Sequence, residues 1–281
     1  MRTTVQQVRD YKARGEKFAM LTAYDYSTAK IVDAAGIPII LVGDSLGTVV
    51  LGYESTIPVT MDDMIHHTKA VVRGSSKAMV VGDMPFMTYH ITIEETLRNA
   101  ARFIQEAGAQ AVKLEGGITV ADKVKKLVDC GMPVMGHIGL TPQSVNQLSG
   151  YKVQGRTPEA ARRLLADARA LEAAGAFAVV LETMPSELSA YITSRINIPT
   201  IGIGAGPGCD GQVQVISDLL GLFTDFVPKH AGRYARLAAD IAEAVTTYAS
   251  DVKSGVFPAA EQGFDMNEAV IEDLRREDES T

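Results

Sequence analysis

The sequence predicts a closed (β/α)8 barrel, and three observations carry that reading. Eight short apolar runs alternate with helical stretches along most of the chain. The runs are continuously apolar, as strands are when both faces of a parallel sheet are covered. The length, 281 residues, suits one barrel of roughly 250 residues with a C-terminal extension. An open doubly wound sheet is the competing arrangement, and the count of eight strands favours closure.

Taken in order, the candidate strands are 18–24, 37–43, 78–83, 111–115, 133–138, 177–182, 199–204 and 212–216, the last diluted by Gln212, Gln214 and Ser217. Thr60, followed three residues on by Asp63, reads as a capping box ahead of apolar Met64, Ile65, Val71 and Val72. Thr92 with Glu95 repeats the device. Thr157-Pro158-Glu159 opens a third helix, with proline at the first helical position, where its missing N–H costs little. Gly36, Gly108, Gly131 and Gly175 each close a helical stretch just before a strand, where glycine takes the left-handed conformation. Beyond the barrel, 234–249 and 266–276 read as C-terminal helices and 277–281 as a frayed tail. No Pro/Ser-rich linker interrupts the pattern, so residues 1–281 are expected to form a single barrel domain with those helices appended.

A net charge of −7 gives no electrostatic reason to bind nucleic acid or an anionic membrane. Cys130 and Cys209 are too few for a disulfide scaffold, which points to a reducing, cytoplasmic setting. The first ten residues lack the apolar stretch of a signal peptide, and no segment approaches the ~20 apolar residues of a membrane span.

In parallel α/β folds the ligand sits at the carboxyl ends of the strands. Here those ends carry Asp44-Ser45, Asp83, Lys113 with Glu115, His137 and Glu182. Asp44 and Asp83 each follow a Val-Gly pair and read either as turn or helix-capping residues or as ligands of one shared cation. Neighbouring strands lie ~4.8 Å apart, close enough for the second. Magnesium suits two carboxylates with water and substrate around them, whereas no Cys/His cluster has zinc-ligand spacing. Lys113 and Glu115 lie two apart and so share a face. They form either an internal ion pair, or a site with Lys113 beside a substrate carboxylate or enolate oxygen and Glu115 at the metal or its waters. His137 reads as a structural histidine or a subsidiary member of the site. Glu182, on a strand opposite the aspartates, reads as a rim salt bridge or as a general base across the mouth. His66, His67, His90 and His230 form no metal motif. The run Gly202–Gly208 fails the G-x-G-x-x-G register at Pro207. It stands where a seventh βα loop would let the backbone approach a ligand.

These segments together resemble the ketopantoate hydroxymethyltransferase (3-methyl-2-oxobutanoate hydroxymethyltransferase) family. The matching stretches are Leu21-Thr22-Ala23-Tyr24-Asp25, Val42-Gly43-Asp44-Ser45-Leu46-Gly47, Gly82-Asp83-Met84-Pro85-Phe86 and Val112-Lys113-Leu114-Glu115-Gly116-Gly117. Gly136 through Ser144, Leu181-Glu182 and Ile198 through Gly206 follow in order. The resemblance implies a TIM barrel of the phosphoenolpyruvate/pyruvate superfamily. It also implies transfer of a hydroxymethyl group from 5,10-methylenetetrahydrofolate to α-ketoisovalerate through a magnesium-stabilised enolate, giving ketopantoate for pantothenate and coenzyme A biosynthesis. It places Mg²⁺ on Asp44 and Asp83 with Glu115, and keto-acid contacts on Asp44, Ser45, Asp83 and Lys113, with His137 beside them. Glu182 falls at the general base, and the family's usual assembly is a decamer of two pentamers. Gln214, where the family usually carries leucine, and the stretch 228–234 depart from its pattern. Two alternatives remain at this point. A carbon–carbon lyase or phosphonate mutase of the superfamily would carry a cysteine on a mobile mid-barrel loop, whereas Cys130 reads as a helix end. A non-catalytic binding barrel would lack the strand-end acids, and all are present.

Overall fold

The computed structural model describes residues 1–280, which gather into two compact units, Met1–Tyr234 and the residues from Ala235 onward. In the first, eight parallel strands pair in chain order, and the last returns to the first to close a barrel. They are β1 (Phe18–Thr22), β2 (Ile39–Val42), β3 (Met79–Asp83), β4 (Ala111–Glu115), β5 (Val134–Gly139), β6 (Ala178–Glu182), β7 (Thr200–Ile203) and β8 (Gly211–Gln214). Around them run α1 (Val5–Arg14), α2 (Tyr26–Ala34), α3 (Leu46–Val49), α4 (Met61–Gly74), α5 (Ile93–Gln105), α6 (Ala121–Asp129), α7 (Val145–Leu148), α8 (Pro158–Ala173), α9 (Ser186–Thr193) and α10 (Ile216–Leu219). The second unit holds α11 (Leu237–Ser254) and α12 (Glu268–Glu279). α12 occupies most of the stretch read as a frayed tail, and Thr281 lies outside the described residues.

The helix signals work as the sequence indicates. Thr60 and Asp63 exchange bonds in a capping box at α4, and the Thr92 and Thr157 hydroxyls accept from the third residue of α5 and α8. Gly36, Gly108, Gly131 and Gly175 all take left-handed backbone. Alternation fails once: residues 204–210 cross from β7 to β8 as turns rather than as a helix. β8 also ends at Gln214, two residues early, because Val215 already leads into α10.

Side-chain parity positions the site. Ile39 and Leu41, Met79 and Val81, Ala111, Met135, and Ala178 and Val180 pack together inside the barrel, closed off by Val8, Phe18 and Phe177. The intervening Ile40, Val42, Val80, Val112 and Val179 belong to the layer between barrel and helices. Alternate strand residues share a face, so Asp83, Lys113, Glu115, His137 and Glu182 fall on the interior row. The interior is apolar up to its last layer, and that layer is charged. Glycines precede two of these residues for steric reasons. A Cβ on Gly82 would lie 2.2 Å from the Phe103 ring, and one on Gly136 would lie 2.6 Å from Leu171. The close seating of α5 and α8 therefore depends on glycine just before Asp83 and His137.

Candidate active site

Pairing register brings the interior row together. Asp83 pairs with Lys113 across β3 and β4, Glu115 with His137 across β4 and β5, and Gly139 with Glu182 across β5 and β6. Lys113 Nζ sits 2.6 Å from both oxygens of Asp83 and 4.0 Å from Glu115 Oε1. Its tight partner is thus Asp83, not the Glu115 of its own strand. Asp44 lies beyond the end of β2, in the turn before α3. Its backbone N–H donates to Asp83 Oδ2 at 3.3 Å. Its side chain does not cap α3, where Ser45 is the N-cap residue and makes no capping bond either. The Ser45 hydroxyl instead shares a 2.9 Å hydrogen bond with Tyr24 Oη.

His137 bridges the row. Its Nδ1 is 3.4 Å from Glu115 Oε1 and its Nε2 is 3.2 Å from Glu182 Oε2, within ion-pair distance but outside hydrogen-bond geometry at both nitrogens. Burial opposes its charge and so does Lys113, yet the two glutamates outweigh them and push its pKa up to about 9. Burial likewise opposes charge on Lys113, but Asp83, Glu115 and Asp44 raise its pKa and keep it an ammonium. Asp44 shows the opposite balance. Burial, then repulsion from Asp83 and Glu115, holds its pKa well above the usual carboxylate range, against the pull of Lys113 and Gln143. The Glu182 side chain is 15 % exposed, against 2–4 % for Asp83, Lys113, Glu115 and His137. It is therefore the acid of this row most open to an incoming molecule.

All six charged or ionisable positions named from the sequence, with Ser45 beside them, converge at the carboxyl end of the barrel. Two residues that sequence reasoning did not single out join them. Gln143, in the 3₁₀ turn Pro142–Ser144, donates from Nε2 to Asp44 Oδ2 at 2.8 Å and from its backbone N–H to Glu115 Oε2 at 3.1 Å. Tyr89 Oη donates to Gln143 Oε1 at 2.7 Å. Gln143 stands within the Gly136–Ser144 motif, but nothing in its residue type or spacing marked it. The other histidines stay outside the row: His67 Nδ1 donates to the Tyr24 carbonyl at 2.6 Å, and His90 stacks near Tyr89 and Phe86. The glycine run packs against neighbouring side chains and lines a cavity. Cβ atoms on Gly204, Gly206 and Gly208 would meet His230, Ser186 and Ala190. A cavity of about 580 Å³ opens beside that run, between Phe18, Cys209 and His230, and shares no residue with the charged row.

Asp44, Asp83 and Glu115 place three carboxylates in a buried layer with one ammonium and one protonated imidazole, and burial together with the repulsion between the acids raises the pKa of Asp44. An all-oxygen donor set with excess negative charge fits a hard divalent cation such as magnesium. No group of three or more His, Cys, Asp or Glu among the described residues is arranged to hold a metal ion by itself. Magnesium commonly takes only one or two carboxylates and keeps water or substrate in its remaining positions.

The sequence pattern of the family described as ketopantoate hydroxymethyltransferase matches residues 2–260. A 3-methyl-2-oxobutanoate hydroxymethyltransferase of Dehalococcoides mccartyi is 67 % identical over 276 residues, covering 98 % of each chain. One from Chloroflexus aurantiacus is 60 % identical, covering 96 % of each. Among solved structures, phosphonopyruvate hydrolase with oxalate and Mg²⁺ superposes with a TM-score of 0.60 at 13 % identity, covering 100 % of this chain and 97 % of that one. 2,3-Dimethylmalate lyase, a PEP mutase/isocitrate lyase superfamily member, gives 0.56 at 14 %, covering all of both chains. At such identities these two share the fold alone.

Proposed function

The chain belongs to the ketopantoate hydroxymethyltransferase family, and on that premise we propose that its charged barrel mouth removes the C3 proton of α-ketoisovalerate and presents the resulting carbanion to a one-carbon donor. It is an enzyme, a transferase that hydroxymethylates 3-methyl-2-oxobutanoate to ketopantoate on the route to pantothenate. The lyase and mutase alternative is not favoured, since those enzymes resemble the chain only in fold. The donor in this reading is 5,10-methylenetetrahydrofolate.

The observation that carries the mechanism is the continuous interior row from Asp83 to Glu182, with its most open acid at the far end. Asp44 and Asp83, with Glu115 beside them, would hold Mg²⁺. When bound, the ion supplies Lewis acidity toward the keto and carboxylate oxygens of the substrate, worth several kcal/mol. Glu182, opposite Asp44 in the ring of eight strands, takes the C3 proton as general base. His137, protonated at neutral pH, orients Glu182 Oε2 and Glu115 Oε1 from between them. Lys113, held as an ammonium by Asp83, supplies positive charge where the carbanion delocalises onto oxygen. Ser45, fixed by Tyr24, offers its hydroxyl to the substrate carboxylate.

The test is deuterium exchange at C3 of α-ketoisovalerate, followed by proton NMR with and without Mg²⁺, in the presence and absence of tetrahydrofolate. Magnesium-dependent exchange supports the reading. Absence of exchange in folded, metal-loaded protein with tetrahydrofolate present sinks it. We also propose a cytoplasmic enzyme assembled as a decamer of two pentamers. Among the described residues no helix is long and apolar enough to cross a membrane, and a light-scattering mass of ten chains is the expected result.

A further inference from the structure

Gln143 is 3 % exposed and every polar group it carries is committed. Its Nε2 donates to Asp44 Oδ2 at 2.8 Å and to the Met84 carbonyl at 3.0 Å. The Met84 carbonyl is an acceptor only, and Asp44 accepts as a carboxylate, so the amide nitrogen must face them. A flipped amide would set an oxygen against two others in a buried layer, leaving all three unsatisfied. On its far side Oε1 accepts from Tyr89 Oη. Tyr89 is itself fully buried, and its hydroxyl accepts from the Glu115 backbone N–H at 3.2 Å. The hydroxyl has one proton and two acceptors, the Glu115 carbonyl at 3.3 Å and Gln143 Oε1 at 2.7 Å, and the much shorter contact gives that proton to Gln143. The amide therefore has one permitted orientation, and Tyr89 enforces it.

One residue of the β5 loop thus grips two carboxylates, Asp44 through that orientation and Glu115 through its main chain. The side chain holds Asp44 Oδ2, and the backbone N–H holds Glu115 Oε2. Each of these acids keeps its other oxygen for a different partner: Glu115 Oε1 faces His137 and Lys113, and no hydrogen bond reaches Asp44 Oδ1 among the described residues. We propose that Gln143, oriented by Tyr89, is a positioning residue that sets Asp44 and Glu115 for the divalent cation, directing Asp44 Oδ1 toward the site by tying back Oδ2. The inference rests on the reading that Asp44 and Glu115 serve that cation. An amide that orients a ligating carboxylate acts as an outer-shell partner, whose loss typically costs about 10–100-fold in metal affinity.

The experiment is a Mn²⁺ titration of metal-free protein followed by electron paramagnetic resonance, on wild type, Gln143→Met, Tyr89→Phe and Asp44→Ala. Methionine nearly conserves the volume of glutamine, and phenylalanine keeps the buried ring of Tyr89, so both should fold. Gln143→Met should raise the Mn²⁺ dissociation constant about 10–100-fold, and Tyr89→Phe about 10-fold. A purely structural role would lower the melting temperature and leave the dissociation constant where it was. If Asp44→Ala loses Mn²⁺ while Gln143→Met and Tyr89→Phe bind it as wild type does, the positioning role is wrong and the site stands. If Asp44→Ala also binds as wild type does, the cation site itself is misplaced and the inference falls with it. Should Gln143→Met fail to fold, Tyr89→Phe decides alone.

Discussion

Asp33 and Asp44 are buried to similar depth at opposite ends of one barrel, 6 % and 4 % exposed. At the amino-terminal end, Asp33 accepts from the backbone N–H groups of Ser76, Lys77 and Ala78 at 2.7–3.0 Å, just ahead of β3. Burial opposes its charge, yet those three donors outweigh burial and hold its pKa below the usual range. At the carboxyl end, Asp44 receives one amide and faces two other carboxylates, and its pKa moves the other way. Burial opposes charge at both and is the largest influence at Asp44, where two carboxylates add to it, whereas at Asp33 the three N–H donors overturn it. Buried charge at the amino-terminal end is fully answered within the chain, and this is where a barrel keeps its stability. At the carboxyl end three carboxylates face one ammonium and one protonated imidazole, an excess that the proposed cation would balance.

If that contrast is correct, acids at the carboxyl end carry chemistry and Asp33 carries stability, and substitutions should separate the two. The largest effect is expected for Glu182→Gln. C3 exchange should fall about 10²–10⁴-fold, the usual span for a general base, with keto-acid binding and melting temperature retained. Equal loss of binding and exchange would make Glu182 as structural as Asp33. Next comes Asp44→Asn, which removes a carboxylate from a crowded, unbalanced layer. Divalent-cation affinity should fall by more than about 100-fold, beyond the cost of an outer-shell partner, while the metal-free protein melts no lower than wild type. A lower melting temperature would erase the contrast. Asp33→Asn should do the reverse, because asparagine turns a donor toward backbone donors. A loss of about 2–3 kcal/mol is expected, or about 4–12 °C in melting temperature, with C3 exchange unchanged.

The smallest effect is in pH. The folded pKa of Asp33 lies below its ordinary value of 3.8, so the stability its charge contributes is present above 3.8 and lost as pH falls through the folded value. The stability gap between wild type and Asp33→Asn should therefore narrow in acid. A gap that widened below pH 3.8 would contradict the sign of the shift.

Much of this arrangement is legible in the sequence, for identifiable reasons. Continuous apolar runs report strands covered on both faces, and glycines after the helical stretches report where the chain turns back. The two-residue spacing of Lys113 and Glu115 gives a shared face without any structure. Other features depend on distance in the chain. Gln143 meets Tyr89 across 54 positions and Asp44 across 99, and no periodicity connects residues that far apart. The run Gly202–Gly208 is ambiguous for a related reason. Its glycines make room for Ser186, Ala190 and His230, and a glycine kept for close packing looks the same in sequence as one kept for a ligand. The crossover without a helix at 204–210 is legible by contrast, since only seven residues, glycine-rich, separate the candidate strands 199–204 and 212–216.

Since β8 pairs back onto β1, every strand is clamped by two neighbours, and none has a free edge on which a slip could be taken up. One residue inserted within β3 would move Asp83 from the interior row to the helix-facing side, and the same holds for Lys113 in β4. The site is thus written partly as a count of residues from the start of each strand. Over evolutionary time such a chain can lengthen or shorten between its strands, whereas a length change inside one would cost it a reactive group.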